Sequence, residues 1–219
     1  MIRLHYHPGN ASMAPHILLR ELGMPFELVL VDRAHDAHKS PGYLALNPNG
    51  LIPVMQDAGL VLYETAAILL HLADNHPQAG LVPALATAER ADFYKWLIWL
   101  TNTLQATLIA YFYPERWVSE GNEEGSRQVM AQAQVRIQPM LKQLDEQLAS
   151  HGGPWLLGKG YSAADPFAFM LCRWTRGFTG PTCPPAREFA HLGPYLKRML
   201  ERPAVQQVIA VEKLPPPWV

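Results

Sequence analysis

Glu64 and Thr65 stand directly before a long apolar stretch and could together bind a charged ligand. A hydroxyl group at the start of a helix lies beside free backbone amides and the positive end of the helix dipole, and both favour an anion. The Glu64 carboxylate could bind a neighbouring cation. An ordinary threonine N-cap beside an exposed glutamate would have the same local sequence, so the pair alone leaves both interpretations open.

Two further signals involve helix and strand starts. Pro53, in Leu51-Ile52-Pro53-Val54, lies eleven residues before Glu64. It could simply open an edge strand or follow a cis peptide bond, and sequence does not distinguish the two. Ser162-Ala163-Ala164-Asp165 is a capping box with Asp in place of Glu or Gln. We expect this box to stabilise a helix, by about 1 kcal/mol per cap residue, and to have no part in catalysis.

Composition excludes several classes of protein. The 219 residues are 49% hydrophobic and 17% charged, so the chain can bury a core and is not a disordered polymer. The chain has 18 Lys and Arg residues and 19 Asp and Glu residues, so it lacks the excess of basic residues that a nucleic-acid-binding protein needs. Two cysteines and the absence of a basic N-terminal segment before an apolar run predict no disulfide framework, no signal peptide and a cytoplasmic location. The nine histidines show no spacing typical of a metal site.

Residues 96–113 carry no charge over nearly the length of a membrane-spanning helix. The segment also contains polar residues whose burial in hydrocarbon is costly, namely Thr101, Asn102, Thr103, Gln105 and Thr107. A buried helix of a soluble protein with one polar stripe explains this pattern better. We therefore expect no membrane partner.

The elements that would position these residues have the order strand–helix–strand–hairpin–helix. The predicted strands are 2–7, 26–31, 54–57 and 60–63, and the predicted helices between and after them are 13–22, capped by Ser12, and 65–76. After a segment with Pro and Gly at 78–86, helical periodicity predicts helices at 87–113 and 126–148, one that begins at Ser162, and one or two within 193–211. The predicted organisation is an α/β thioredoxin-like domain at 1–77, a linker at 78–86 and an all-α helical bundle at 87–219.

The three signals, in this order and spacing, resemble the cytosolic glutathione transferase family over essentially the whole chain. In that family the proline equivalent to Pro53 is cis, and the backbone of the preceding residue, here Ile52, pairs with the cysteinyl backbone of glutathione. The resemblance assigns the γ-glutamyl carboxylate to Thr65 and its ammonium group to Glu64. Lys39 could pair with the glycyl carboxylate, or could be a solvated surface lysine.

Within the family, the opening HPGNASMAPHILLRELG and the long 87–113 helix resemble the bacterial beta class. The catalytic cysteine of that class aligns with Ala11, and its active-site histidine aligns with Gln105. The resemblance therefore implies that no protein cysteine takes part in catalysis.

Ser12 and Asn10 are the remaining polar candidates at the end of the first strand. A helix start and one hydroxyl donor could together stabilise a thiolate, and other transferase classes use a serine in this way, so we assign Ser12 as the catalytic residue. The alternatives are that Ser12 is only an N-cap, that Asn10 is the donor, or that Asn10 is only a turn residue.

Other candidate residues lie in the helical region. Asn102 is a candidate glutathione-binding residue, because it lies on the polar stripe of the long helix, which in the beta class borders the cleft and reaches the partner subunit. The aromatic residues that could line a pocket for an apolar electrophile, or could belong to the core, are Tyr111, Tyr113, Trp117 and Trp174. We expect Cys172 to be buried and Cys183 to be an exposed bystander thiol.

The sequence thus predicts a homodimeric detoxification enzyme, a glutathione transferase that activates bound glutathione for attack on a small hydrophobic electrophile. Glutathione would be the co-substrate, and no metal is expected. One alternative is glutathione-dependent disulfide or peroxide reduction, in which two glutathione molecules carry the redox chemistry. Another is a non-catalytic glutathione-binding scaffold with the same fold.

Overall fold

The computed structural model describes residues 1–180 and 182–219 and divides into two compact units. The first unit comprises Met1–Val82 with Leu200–Pro216, and the second comprises Pro83–Met199 with Pro217–Val219. The sequence predicts that everything after residue 87 belongs to the helical domain, whereas residues 200–216 group with the first unit. The reason is that the last helix of the chain packs on the first one.

The first unit contains a mixed four-stranded sheet. Its strands are β1 (Ile2–Tyr6), β2 (Phe26–Leu30), β3 (Val54–Asp57) and β4 (Leu60–Tyr63). Their spatial order is β2-β1-β3-β4, with β1 parallel to β2 and β3 antiparallel to β1 and β4. The predicted hairpin strands are confirmed, and the two other predicted strands each end one residue earlier than expected.

Nine α-helices are present in the described part of the chain. They are α1 (Met13–Glu21), α2 (Pro41–Leu44), α3 (Thr65–Asn75), α4 (Ala88–Trp99), α5 (Ala106–Phe112), α6 (Glu123–His151), α7 (Ala164–Trp174), α8 (Leu192–Leu200) and α9 (Pro203–Val211). In the first unit, α1 packs against both α3 and α9. The buried apolar side chains of the sheet, α1 and α3 include Leu4, Met55, Ile17, Leu18, Ile68 and Leu69. Val54, next to Met55 on β3, belongs to a different buried cluster with Val31 and Tyr43.

The turn after α1 shows why the helix ends at Glu21, one residue before the predicted Leu22. Gly23 has a φ of +63°, which glycine adopts without the steric cost of a Cβ atom. The Gly23 N–H can then donate to the Arg20 carbonyl, and the Met24 N–H to the Leu19 carbonyl. These bonds satisfy carbonyls at the helix end and direct the chain into β2.

In the second unit, the single helix predicted for 87–113 is interrupted. Residues Leu100–Gln105 form a π-helical turn between α4 and α5. Two threonine hydroxyls donate to carbonyls four residues earlier, Thr101 to Leu97 at 2.9 Å and Thr107 to Thr103 at 2.7 Å. Such bonds compete with the regular backbone ladder and can distort a helix. Across the described residues, no helix is both long and apolar enough to span a membrane.

The predicted capping box at the start of α7 is confirmed. The Asp165 carboxylate accepts hydrogen bonds from the Ser162 N–H at 2.8 Å and the Ser162 hydroxyl at 3.1 Å. It also accepts from the Leu156 N–H at 2.9 Å and the Tyr195 hydroxyl at 3.2 Å. The helix itself begins at Ala164, two residues later than predicted, because Ser162 and Ala163 belong to the cap.

Candidate active site

The start of α3 is left open by its own side chains. Thr65 is buried, and its Oγ1 donates a hydrogen bond to the carbonyl of Ala11, 3.3 Å away. No side chain caps the first amides of α3. Since Ala11 lies just before α1, this hydrogen bond brings the starts of α1 and α3 together.

Glu64 precedes α3 in an unusual backbone conformation. Its φ is +75° and its ψ is 119°, a region that costs a residue other than glycine about 1–3 kcal/mol. The side chain is exposed, and its carboxylate makes no hydrogen bond or ion pair with the described part of the chain. A strained backbone that presents an unpaired carboxylate beside an open helix start is typical of a ligand-binding residue.

The peptide bond between Ile52 and Pro53 is cis, as the family resemblance implies. Just before it, the Leu51 carbonyl accepts hydrogen bonds from the Tyr43 hydroxyl at 2.9 Å and from Asn47 Nδ2 at 2.8 Å. Burial raises the pKa of Tyr43, so its hydroxyl remains a donor. The strand β3 begins at Val54, so the backbone of Ile52 lies outside the sheet and is held by the bonds to its neighbour.

Ser12 is fully buried in the loop between β1 and α1. Its hydroxyl donates to the His7 carbonyl at 3.2 Å and accepts from the His7 N–H, also at 3.2 Å. It makes no side-chain capping bond to α1, so the predicted cap is wrong in that respect. The single hydroxyl hydrogen is used to close the loop, and a sulfur atom would have to compete with His7 for it.

Asn10 lies in the same loop and is half-buried. Its Oδ1 accepts a hydrogen bond from the Ala11 N–H at 2.6 Å, which fixes the orientation of the side chain. Its Nδ2 has no hydrogen-bond acceptor among residues 1–180 and 182–219. An amide nitrogen with two unused hydrogens can donate to a thiolate.

Sequence reasoning missed Glu212, whose carboxylate reaches this loop from the end of α9. Its Oε2 accepts from the Gly9 N–H and its Oε1 contacts Nδ1 of His16, both at 2.8 Å. On β1, burial raises the pKa of Tyr6, and the charge of Glu212 raises it further. The sequence showed only a glutamate at the end of one apolar helix and a histidine, His16, within another. Glu212 and Gly9 are 203 residues apart in sequence, so their contact could not be predicted from local patterns.

Lys39 lies on the surface in the short helical turn Ala37–Lys39. Its Nζ is 3.1 Å from Oδ1 of Asp36, and both side chains are mostly exposed. Exposed ion pairs contribute only about 0–1 kcal/mol, so this one can open at little cost. The structure therefore leaves Lys39 available to a ligand carboxylate without bringing it to the loop residues.

In the second unit, two of the predicted electrophile-binding residues join one aromatic cluster. Tyr111 packs edge-on against Phe112 and Phe178, with ring centroids 5.0 and 4.8 Å apart. The rings of Trp174 and Phe112 also pack edge-on, with their centroids 6.4 Å apart. Burial raises the pKa of Tyr111, and Cys183 raises it further. This cluster offers an apolar surface with a neutral hydroxyl.

The other candidates of the second unit lie elsewhere. Tyr113 stacks on the guanidinium of Arg116, whose central carbon is 4.1 Å from the ring centroid. Trp117 is 62% exposed. Asn102 is exposed on the π-helical turn. Trp117 and Asn102 are thus open to solvent, and Tyr113 has a cationic side chain over its ring.

Both cysteines are free thiols and both are buried, so the expected exposure of Cys183 is wrong. The Gln138 amide donates to the Cys183 sulfur at 3.2 Å. Burial raises the pKa of the Cys172 thiol to about 12. Among the described residues there is also no group of three or more His, Cys, Asp or Glu side chains that could hold a metal ion.

The fold and site define a class of thioredoxin-like proteins with a helical second unit. Residues 11–75 match the family model described as "Glutathione S-transferase, N-terminal domain", and residues 110–211 match "Glutathione S-transferase, C-terminal domain". The chain is 30% identical over 215 residues to glutathione S-transferase GstA of Escherichia coli O157:H7, covering 97% of this chain and 100% of that protein. The chain belongs to the glutathione S-transferase family and is a transferase.

Two other similarities bear on its chemistry. A crystal structure of a glutathione transferase homologue from Sulfitobacter, with bound glutathione, has a TM-score of 0.87 and 27% identity, and the match covers 98% of this chain and 99% of that one. The disulfide-bond oxidoreductase YfcG of Escherichia coli K12 is 28% identical over 222 residues, covering 98% of this chain and 97% of that protein.

Proposed function

We propose that the first unit binds glutathione and activates its thiol for attack on a small hydrophobic electrophile. The observation that carries the proposal is the 3.3 Å hydrogen bond from Thr65 to Ala11, which joins the uncapped start of α3 to the loop before α1. One end of a bound glutathione would meet the anion site of α3, and its sulfur would meet the adjacent loop. The Sulfitobacter homologue, whose crystal structure contains glutathione, supports this ligand.

Each part of glutathione has a candidate partner in this unit. The γ-glutamyl carboxylate is assigned to the free amides of α3 and to the Thr65 hydroxyl, which would turn its hydrogen from the Ala11 carbonyl to the ligand. The ammonium group of the γ-glutamyl residue is assigned to the unpaired carboxylate of Glu64. The cysteinyl backbone is assigned to the N–H and C=O of Ile52, before the cis Pro53. The glycyl carboxylate is assigned to Lys39, which would exchange its surface partner Asp36 for the ligand.

The hydrophobic electrophile is assigned to aromatic side chains of the second unit. Tyr111 and Trp174 are the stronger candidates because they share one cluster. Tyr113 and Trp117 are kept as further candidates for the electrophile pocket. Asn102 is kept as a candidate glutathione-binding residue. Substitution of Tyr111 by Ala should change which electrophiles are used more than it changes glutathione affinity.

The glutathione thiol must lose its proton to react at neutral pH. A thiol with a pKa of about 8.5 is about 3% ionised at pH 7, and lowering that pKa by two units requires about 2.7 kcal/mol of preference for the thiolate. A helix start contributes up to about 2 kcal/mol and one charge-assisted hydrogen bond about 1.5–3 kcal/mol. Asn10 can supply this bond without breaking another, whereas Ser12 must first release His7.

Paired variants distinguish the two donors. If Asn10 donates, Asn10→Ala should raise the pKa of the bound thiol by about 1–2 units, while Ser12→Ala should lower mainly the free energy of unfolding. The thiolate absorbance of bound glutathione, titrated against pH, measures the thiol directly. The reverse result would assign the thiol to Ser12. Unchanged titrations in both variants would leave the backbone amides before α1 as donors.

Retention on immobilised glutathione, followed by elution with free glutathione, tests binding itself. Thr65→Val should elute earlier because it weakens the anion site. A folded wild-type protein that is not retained would contradict the proposed function. Retention would also indicate that Pro53, Glu64 and Thr65 bind a ligand, because a non-catalytic scaffold of this fold does not require these residues for folding. Turnover by the retained protein then separates an enzyme from a glutathione-binding scaffold.

A second candidate is glutathione-dependent reduction of disulfides or peroxides, favoured by the similarity to the oxidoreductase YfcG. Two glutathione molecules would supply the electrons and form glutathione disulfide, and both buried cysteines would be bystanders. A Cys172→Ser, Cys183→Ser double variant should therefore keep its activity if it folds. An inactive but folded variant would mean that a protein thiol participates. A panel of activated aryl halides, peroxides and small disulfides decides between transfer and reduction.

We also propose that no protein cysteine replaces the one that the beta class has at the position of Ala11. The setting we assign is a cytoplasmic, homodimeric detoxification enzyme, by similarity to glutathione transferases. Sedimentation analysis measures the oligomeric state, and a purely monomeric protein would contradict the homodimer.

A further inference from the structure

The C-terminal helix α9 is held against α1 by polar contacts at both of its ends. At one end, Nε and Nη2 of Arg202 donate to the two carboxylate oxygens of Glu21, at 2.6 and 2.8 Å. At the other end, the Glu212 carboxylate contacts the Gly9 N–H and His16 Nδ1, each at 2.8 Å. The two helices therefore run antiparallel and are joined at each end by side chains far apart in sequence.

The two contacts differ in what they hold. The Arg202–Glu21 pair is partly exposed and joins one helix to the other. The side chains of Glu212 and His16 are fully buried. A buried carboxylate is costly unless its oxygens are hydrogen-bonded, so an apolar residue would serve packing alone at lower cost. What the Glu212 carboxylate adds is an acceptor for one particular backbone amide, that of Gly9.

Gly9 occupies a critical place in the loop between β1 and α1. Its φ is +66°, and the turn around it is closed by a hydrogen bond from the Asn10 N–H to the His7 carbonyl at 3.1 Å. The peptide group that Glu212 holds directly precedes Gly9, and Asn10 follows it in the chain. Fixing this amide therefore restricts the direction in which the Asn10 side chain points.

We propose that Glu212 is a positioning residue for thiol activation, in that its carboxylate holds the Gly9 amide and so sets the loop that carries Asn10 and Ser12. This inference rests on the function proposed above. The effect is one of geometry, because a negative charge near the site would disfavour a thiolate. The C-terminal helix thereby becomes part of the glutathione site of the first unit, although Glu212 touches no part of the reacting thiol.

The inference is tested with three variants and one matched control. Glu212→Ala removes both acceptors, and Glu212→Asp shortens the reach by one methylene group. Glu212→Gln is neutral but can still accept from Gly9 through its oxygen and donate to the other His16 tautomer through its nitrogen. Arg202→Met breaks the contact at the opposite end of α9 and leaves the loop alone. For each protein we would measure unfolding temperature, kcat and KM with an activated aryl halide, the pKa of the bound thiol, and affinity for S-methylglutathione, which has no thiol.

We expect Glu212→Ala to raise the pKa of the bound thiol by about one unit and to lower kcat by about tenfold or more, since small displacements of an activating group are costly. Affinity for S-methylglutathione should fall much less. Glu212→Gln should restore kcat to within about threefold of the wild type, because one charge-neutral bond to Gly9 is kept. Arg202→Met should lower the unfolding temperature while leaving the thiol pKa and kcat unchanged.

The outcomes separate this inference from the function on which it rests. Wild-type protein that binds neither glutathione nor S-methylglutathione would overturn both. A wild type with an activated thiol, together with a folded Glu212→Ala variant of unchanged thiol pKa and kcat, would overturn the positioning role alone. If Glu212→Ala does not fold, Glu212→Asp replaces it, with a rise in thiol pKa in support and an unchanged pKa against. Equal loss of kcat in Arg202→Met would show that α9 contributes only stability, which also overturns the inference.

Discussion

Two helix starts in this enzyme use an acidic residue and a hydroxyl residue in opposite ways. At α7, Asp165 and Ser162 bond to each other and to neighbouring backbone, so the polar groups of the cap are satisfied within the protein. At α3, Thr65 donates its hydroxyl hydrogen to a separate loop, and Glu64 makes no polar contact with the described residues. The start of α3 is therefore open.

The difference shows that residue types alone do not determine whether a helix start is closed by side chains of the protein or left open. At a closed start the polar groups hydrogen-bond within the protein, so a substitution there should lower the free energy of unfolding. At an open start the backbone N–H groups and a carboxylate stay available to a ligand, so a substitution there should lower ligand affinity. Substitutions at the two starts should therefore have effects that differ in kind.

The largest effect is expected for Asp165→Ala. This substitution leaves the Leu156 and Ser162 amides and the Ser162 hydroxyl without their acceptor in a fully buried place, while the Tyr195 hydroxyl keeps the backbone carbonyl of residue 165. It should lower the free energy of unfolding by about 3–5 kcal/mol in mildly acidic solution. Chemical denaturation measures it. The matched control is Asn122→Ala, which removes an exposed cap at the start of α6 and should cost about 1 kcal/mol. Equal losses in the two variants would refute the closed-start interpretation.

The same carboxyl group should make stability depend on pH. Burial raises the pKa of Asp165 from 3.8 to about 6, although its hydrogen-bond donors act in the opposite direction. Between these values the folded protein holds a proton that the unfolded chain has lost, so stability falls as pH rises. The difference between the two pKa values corresponds to a change of at most about 3 kcal/mol in the free energy of unfolding. The stability difference between wild type and Asp165→Ala should therefore narrow from pH 4 to pH 6, and a difference that widens would contradict the raised pKa.

The sequence predicted those features whose causes are local. The hairpin of β3 and β4, the capping box and the cis Ile52-Pro53 bond all follow from short motifs, read directly or through the family resemblance. The interruption of the 87–113 helix was not predicted, because threonines at 101 and 107 are common in regular helices and their bonds to carbonyls depend on rotamer choice.

The candidate site was predicted less completely than the fold. Glu64, Thr65 and Ile52 are marked by neighbouring residues, whereas Glu212 acts on Gly9 through a contact between the two ends of the chain. Ser12 shows a further limit. Its position before α1 suggested a cap or a thiol donor, yet its hydroxyl closes the loop onto His7, which sequence periodicity cannot show.

The last effect, a loss of about 1–3 kcal/mol in the free energy of glutathione binding, is expected for Thr65→Val. The hydroxyl that would turn from the Ala11 carbonyl to the ligand carboxylate is lost, so calorimetry should show weaker glutathione binding. The loss of the buried bond to Ala11 should also lower the free energy of unfolding. The control is Thr87→Val, because Thr87 also lies at a helix start but caps its helix, accepting from the Arg90 N–H at 3.1 Å. That variant should lose about 1 kcal/mol of stability and bind glutathione normally. Unchanged glutathione affinity in a folded Thr65→Val protein would remove Thr65 from the site, and Thr65→Ser, which keeps the hydroxyl, should bind as the wild type does.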